Sequence, residues 1–334
     1  MNTRIALLPV LCTVAAVAST AQAPAPDARE LLACYAATRD ELRSYILNSR
    51  TDYEYDFVVN VERPDLVGRR TREDLEEFRT DGLRFYYRIE VWGNLFDPMP
   101  YTKEKPAYTS YLWDGRTYVQ VTHGTDFGDP EDLVHIVPRD HEEVIGFIPV
   151  PRAYGGRSAM GFFWADVRVD TILRNAHELH VDPGTALVNG TACYVIRGRS
   201  PQGRYMLWLA PEYGSSLVQA RVRLAGGDRV GGHVMPAGFE WTCELRNVRL
   251  RNIDGTWVPV QSDAFESKRL SSGTFERWHS HCEVTHIVLN PDHDALGSFV
   301  PKDIRNGSSV CTSKPGEEFQ AYTWQDGELI PRPD

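Results

Sequence analysis

The chain has 334 residues, 42% hydrophobic and 25% charged, with 46 Asp and Glu against 36 Lys and Arg for a net charge of −10. That balance belongs to a globular protein long enough to bury a sizeable core. The acidic excess argues against nucleic acid and against anionic membrane as partners.

Residues 1–21 read as an export signal: Arg4 gives a short positive start, Ile5 to Ala18 is apolar, and small residues follow. Ser19-Thr20-Ala21 places cleavage after Ala21; a cut after Ala23 would leave Pro24 at the new terminus, which is unfavourable. The apolar run is shorter than the ~20 residues that span a bilayer, and Leu11 is too large to precede a lipidated Cys12. The expected location is therefore exported, periplasmic and not integral to the membrane. Cleavage removes Arg4 and makes the mature chain one unit more acidic. Cys34, Cys193, Cys243, Cys282 and Cys311 remain. In an oxidising compartment one or two disulfides among them and buried free thiols are both open readings.

After a short tether at Pro24 to Pro26, Asp27 caps a helix expected to run to about Asn48, with Leu31, Tyr35, Leu42, Tyr45 and Ile46 on one stripe. From Asp52 to Val61 the period switches to 2, with Tyr53, Tyr55, Phe57, Val59 and Val61 on one face. Asp65 to Glu77 is heavily charged and reads as a solvated turn or short helix. Leu83 to Val91 alternates again, with Leu83, Phe85, Tyr87, Ile89 and Val91 on an expected buried face and Arg84, Tyr86, Arg88 and Glu90 on the other. Trp92 to Ala107, rich in Pro and aromatics, reads as an irregular excursion. Tyr111 to Val121 reads as a hairpin turning at Asp114-Gly115. Asp126 to Gly161 breaks the regularity, with Asp129-Pro130 and Asp140 as caps for two short helices.

A short helix over Thr171 to Ala176 leads into a three-stranded meander from Ala176 to Leu224. Its turns are Asn189-Gly190, Pro201-Gln202-Gly203 and Pro211-Glu212-Tyr213-Gly214. Within it Arg204, Met206 and Trp208 alternate with Tyr205, Leu207 and Leu209, and Val218, Ala220, Val222 and Leu224 with Gln219, Arg221 and Arg223. Gly226 to Gly238 is a connection. Strands follow at Phe239 to Leu250, Trp257 to Ser267 and Thr274 to Leu289, then a polar tail from Thr312 with one short strand near Tyr322 to Ile330. The expected fold is mainly β with a few helices (α+β): ten or so antiparallel strands in one incomplete barrel, a half-barrel covered by helices around an apolar interior. One domain spans 22–311, with an insertion at about 92–161, and 312–334 forms the tail.

Residues suited to chemistry are sparse. His279 and His281 point to one face of a strand and are the weak candidates for a metal; a third ligand would have to be Glu283 on the same face or come from elsewhere. Asp292-His293-Asp294 lacks the ligand run of a calcium loop, and Ser158 in Gly156-Arg157-Ser158-Ala159-Met160 fails the G-x-S-x-G nucleophile pattern. Asp126, Asp129, Glu131 and Asp132 read as solvated surface. No Gly-rich phosphate loop follows a strand. No catalytic residue and no cofactor are expected, and a non-enzyme is the leading reading. The alternatives are an exported hydrolase or metal-dependent enzyme using the insertion and the His279 to His286 strand, and a non-catalytic envelope scaffold.

Several short units carry a resemblance: Val188-Asn189-Gly190-Thr191-Ala192-Cys193-Tyr194-Val195-Ile196, Trp208-Leu209-Ala210-Pro211-Glu212-Tyr213-Gly214, Gly255-Thr256-Trp257-Val258-Pro259-Val260, and the ending Val288-Leu289-Asn290-Pro291 with Phe299-Val300-Pro301 and Asn306-Gly307. With the leader followed at once by an amphipathic helix, the chain resembles the LolA-like lipoprotein-sorting carriers of the bacterial periplasm, in a long-chain form. The resemblance implies a helix-closed incomplete barrel that holds the acyl chains of a lipid or lipoprotein partner and meets the envelope export machinery, without enzymatic chemistry. An acyl chain needs apolar contact, each buried methylene contributing about 0.8 kcal/mol. The candidate lining residues are Phe57, Val59, Phe85, Tyr87, Ile89, Val91, Trp208, Val218, Val222 and Trp241, with Leu31, Tyr35, Leu42 and Tyr45 from the helix. The plainer alternative is that these residues fill a dry core.

Overall fold

The computed structural model describes residues 26–93, 101–104, 106–123, 132–138, 157–164, 167–312 and 320–332. The proposed leader, the expected caps Asp129 and Asp140, and most of the Asp126 to Gly161 stretch lie outside them. Helix α1 spans Ala28–Asp40, and the Asp27 carboxylate caps it by accepting from the backbone of Arg29 and Glu30. It is shorter than the sequence stripe implies. Leu42 sits in the turn beyond it, and Tyr45 and Ile46 open strand β1, Tyr45–Val59. Register explains the change: β1 pairs along its length with a strand on each side, and that ladder outweighs a further helical turn.

The strands that follow are β2 (Gly68–Thr80), β3 (Phe85–Gly93), β4 (Ala107–Trp113), β5 (Thr117–His123) and β6 (Leu133–Pro138). Helix α2 (Val169–Arg174) precedes β7 (Glu178–Val181), β8 (Ala186–Val188), β9 (Thr191–Ser200), β10 (Gly203–Ala210) and β11 (Ser216–Ala225). A small ribbon, β12 (Arg229–Val230) with β13 (His233–Val234), leads to β14 (Glu240–Ile253), β15 (Thr256–Arg269) and β16 (Phe275–Leu289). Helix α3 (His293–Leu296), β17 (Ser309–Thr312), β18 (Gln320–Gln325) and β19 (Glu328–Pro331) complete the chain.

Seventeen strands join one sheet. Followed through its pairings, β9 takes both β7 and β8 on one side, and the order continues β10, β11, β14, β15, β16, β1, β2, β3, β4, β5, β6, β17, β18, β19. Every pairing is antiparallel except β6 with β17, so the sheet is mixed. The predicted meander is present from β9 to β11, but the stretch expected as its first strand divides into β7, β8 and β9. Its Asn189-Gly190 turn has φ of 52° and 85°, the paired positive values of a two-residue hairpin turn.

Three further segments differ from expectation. In place of the short helix expected after Asp129-Pro130, Leu133–Pro138 is strand β6, held between β5 and β17. Asp65 to Glu77 is a single 3-10 turn, Pro64–Leu66, followed by strand β2. Its charges are absorbed within the sheet: Arg72 Nη2 donates to Asp74 Oδ2 at 2.6 Å, and Arg79 pairs with Glu77. The tail forms two strands, β18 and β19, rather than one, turning at Asp326 and Gly327.

Cross-strand partners share a face, so the register sorts the side chains. Helices α1 and α2 pack on the helix-bearing face, where Leu31, Leu32 and Tyr35 meet Val169, Ile172 and Leu173 over Ile196, Tyr205, Leu207, Val222, Trp241 and Leu245. Arg39 is buried at the end of α1 and donates to Ser216 Oγ at 3.0 Å and to the Trp257 carbonyl. Residues 157–164 cross the same face. The Tyr35 hydroxyl donates to the Met160 carbonyl at 2.8 Å, and Trp164 lies 5.2 Å from Trp241, edge to face. On the opposite face, Phe299 packs with Tyr86, Leu112, Val119, Val121 and Val134, and Val310, the register partner of Val134 in β17, extends the cluster within the sheet.

Candidate functional site

Beyond the helices, the helix-bearing face continues across β16, β1, β2 and β3 as an aromatic strip over a polar floor. Tyr53, Tyr55 and Phe57 alternate along β1 with ring centroids 6.0 and 6.2 Å apart. Tyr55 stacks on Trp278 of the neighbouring strand at 5.8 Å and 14°. Across β2 to β5, the Phe78, Tyr87, Tyr111 and Tyr118 rings continue the series at 6.1–6.4 Å spacings. Phe57 is buried, while Tyr53, Tyr55, Trp278, Ile89 and Val91 are half-buried.

The floor between these rings is ionisable. Asp74 is buried, and desolvation raises its carboxyl against the pull of bidentate Arg72. Glu76 accepts from Ser49 Oγ and from the Tyr87 hydroxyl, both at 3.1 Å. Burial, then the Glu76 charge, holds the Tyr87 phenol well above its usual range. Glu266 accepts from Trp241 Nε1 at 2.9 Å. Burial pushes its carboxyl up to about 7, against hydrogen bonds from Trp241 and Trp278 and the charges of Arg157 and Lys268. The strip thus combines apolar ring faces with a line of hydrogen-bonding groups, which suits a ligand that is mostly hydrocarbon with a polar head.

The expected lining residues fall into separate groups. Leu31, Tyr35, Val222 and Trp241 lie together in the core under α1 and α2. Phe85 and Tyr87 cluster with Phe78, Trp113 and Tyr118, with Tyr45 and Ile89 packed against them. Leu42 and Phe57 are buried, and Val91 is half-buried. Val59 is 45% exposed, beyond a register shift at the end of β1. Trp208 and Val218 do not belong to this face. They pack with Cys193 and Ala210 in a cluster of their own: alternation with Leu207 and Leu209 turns Trp208 to the other face, and a bulge leaves Val218 unpaired between Leu217 and Gln219.

Glu266, Trp278, Arg72, Asp74 and Glu76 were not among the expected residues. A period-2 reading of Arg72, Asp74, Glu76 and Phe78 was the available signal, but their charge masked it. His279 and His281 do share a face, opposite the strip, and there their ring nitrogens reach the same atom, Asp263 Oδ1, at 2.9 and 2.8 Å. Asn247 donates to the other oxygen at 2.8 Å. Burial raises the Asp263 carboxyl, yet these three bonds outweigh it and leave it below the usual carboxylate range. Among the described residues no group of three or more His, Cys, Asp or Glu is placed to hold a metal ion. All five described cysteines are free thiols. No described helix is long and apolar enough to cross a membrane.

No family model matches the chain, and no curated protein matches it. Among solved structures it is similar to a DUF1329 family protein from Desulfovibrio piger, at 12% identity and a TM-score of 0.36, over 79% of this chain and 94% of that one. It is also similar to PNGF-II, at 9% identity and a TM-score of 0.19, over 80% of this chain and 31% of that one. Both likenesses are too distant to carry an argument about mechanism.

Proposed function

We propose that the protein is an exported, periplasmic carrier or binding protein whose sheet curls into a half-barrel and holds the acyl chain of a lipid or lipoprotein. The observation that carries this reading is the half-buried strip of Tyr53, Tyr55, Trp278, Ile89 and Val91, which continues the buried core of one face. Half-buried rings keep apolar area that an apolar ligand can cover, at about 25 cal/mol per Å² removed from water. The LolA-like resemblance supports the same reading. The α1 end would then be the packed floor of the carrier, and the strip its binding surface.

The test is native mass spectrometry of the mature protein from its own envelope, followed by solvent extraction and lipid analysis. A co-purifying acylated species released on unfolding is expected, and Tyr55→Glu should prevent its capture. An adduct-free protein that also ignores a fluorescent fatty-acid probe would sink the carrier reading.

A further inference from the structure

The face opposite the strip carries a feature that acyl binding does not use. In register, Arg199 of β9 stands opposite Arg204 of β10, and Arg204 opposite Arg223 of β11. Three guanidinium side chains thus lie side by side on adjacent strands, roughly 5 Å apart by strand spacing. Like charges directly opposite one another destabilise a sheet, so this row needs compensation. Arg223 has it from Glu240 at 2.9 Å. In the adjoining row, Arg197 pairs with Asp182 at 2.8 Å and Arg221 with Glu244 at 3.4 Å. Arg199 and Arg204 are exposed, and no ion pair joins either to a described carboxylate. Glu178 is the register partner of Arg199 but makes no ion pair with it.

The five arginines line a groove of about 520 Å³ together with Glu178 and Glu244, and with Asp182 and Glu240 paired at its edge the local excess of positive charge rests on Arg199 and Arg204. A cationic groove on a chain of net charge −10 concentrates positive potential against the overall sign. Beside His180, its basic side chains are all arginine, the residue whose planar fork matches phosphate oxygens two at a time.

We infer that the groove around Arg199, Arg204 and Arg223 is an anion site that takes a phosphate-bearing ligand, with Arg199 and Arg204 as its free forks. An anion bridging them would replace repulsion with charge-assisted hydrogen bonds, and the flanking pairs would hold Arg197, Arg221 and Arg223 at its rim. The phosphate could be that of a small soluble molecule or of a lipid headgroup, since the groove is open to solvent.

The test titrates the mature protein at low ionic strength with pyrophosphate by calorimetry. In parallel it is sedimented with neutral phosphatidylcholine vesicles, with and without phosphatidylglycerol. Saturable pyrophosphate binding, weakened at least tenfold in Arg204→Gln and Arg199→Gln but unchanged in Arg251→Gln, an exposed β14 residue that does not line the groove, is expected for a soluble source. Phosphatidylglycerol-dependent sedimentation lost in the same two variants assigns the source to headgroups and equally supports the site. A second readout separates this from a structural role: without anion, Arg204→Gln should melt higher than the wild type, and pyrophosphate should raise only the wild-type melting temperature. No saturable binding of either probe, or binding indifferent to both variants, overturns the inference. Fatty-acid probe affinity is read separately, so loss of the carrier reading and loss of the anion site are distinguishable.

Discussion

Trp241 Nε1 donates to Glu266 Oε2 at 2.9 Å, fixing a carboxyl raised to about 7 between two indoles of one sheet face. The folded protein holds this proton more tightly than the unfolded chain, whose ordinary value is 4.5. The stability it contributes is therefore fully present below about pH 4.5 and lost as pH rises through about 7. Glu266→Gln keeps the acceptor and removes the titration. The urea midpoint, followed by tryptophan emission, should fall across that window in the wild type and fall less in the variant, a difference of about 1–3 kcal/mol. Asp74 is raised and works in the same direction, so the difference between the two proteins is the test. Parallel curves would remove Glu266 from this role.

The crossing of residues 157–164 depends on a close contact. A Cβ at Gly161, where φ is +87°, would lie 2.0 Å from the Tyr35 hydroxyl oxygen and 3.2 Å from Val169 Cγ1. Tyr35→Phe loses one hydrogen bond to the Met160 carbonyl, about 1 kcal/mol. Gly161→Ala should cost more, about 2–4 kcal/mol, through strain and displacement of the ring. When Tyr35→Phe is already in place the added methyl meets no hydroxyl, so the two losses should fall short of additive. Denaturant unfolding of the wild type, the two single variants and the double variant checks this, and strict additivity would mean that ring and glycine relax independently.

Much of the β half could be read from sequence because its turns carry their own chemistry. Asn189-Gly190 and Asp254-Gly255 adopt paired positive φ values, as side chains that tolerate that region require. The end of α1 could not be read the same way. Tyr45 and Ile46 fit a helical stripe and a strand equally well, and only β16 and β2, distant in sequence, decide between them. β2 was obscured for a related reason. Asp74 and Glu76 look solvated until Arg72, Ser49 and Tyr87 are seen to satisfy them. The face of Val218 was lost to one bulge, because a single extra residue reverses the parity on which any alternation argument rests.

The thiols give a direct check on the burial of the sheet. Cys34 is exposed on α1, Cys311 is intermediate, and Cys193, Cys243 and Cys282 are buried. Desolvation pushes the Cys282 thiol up to about 12 and that of Cys193 to about 11, so neither supplies thiolate at neutral pH. With Ellman's reagent the native mature protein should show one fast thiol, abolished by Cys34→Ser, and one slower one. Three more should react only on unfolding. Fewer than five thiols in denaturant without reductant would reveal a disulfide and contradict the arrangement.

The division of Tyr55 and Trp208 between two faces makes the binding surface testable with two substitutions. Tyr55 lies in the strip, stacked on Trp278. Trp208 packs with Cys193 and Val218 in the separate cluster. Tyr55→Ser deletes a ring whose remaining exposed area a bound hydrocarbon would cover, a loss of about 1 kcal/mol, or roughly fivefold in affinity. Trp208→Leu removes comparable aromatic surface from the other side and should leave affinity for a fluorescent fatty acid within twofold, at a small cost in melting temperature. Because both variants lose a ring, a general loosening of the sheet would weaken the two alike. Only ligand contact on the helix-bearing face weakens Tyr55→Ser alone, and the reverse pattern would move the binding surface to the side of Trp208.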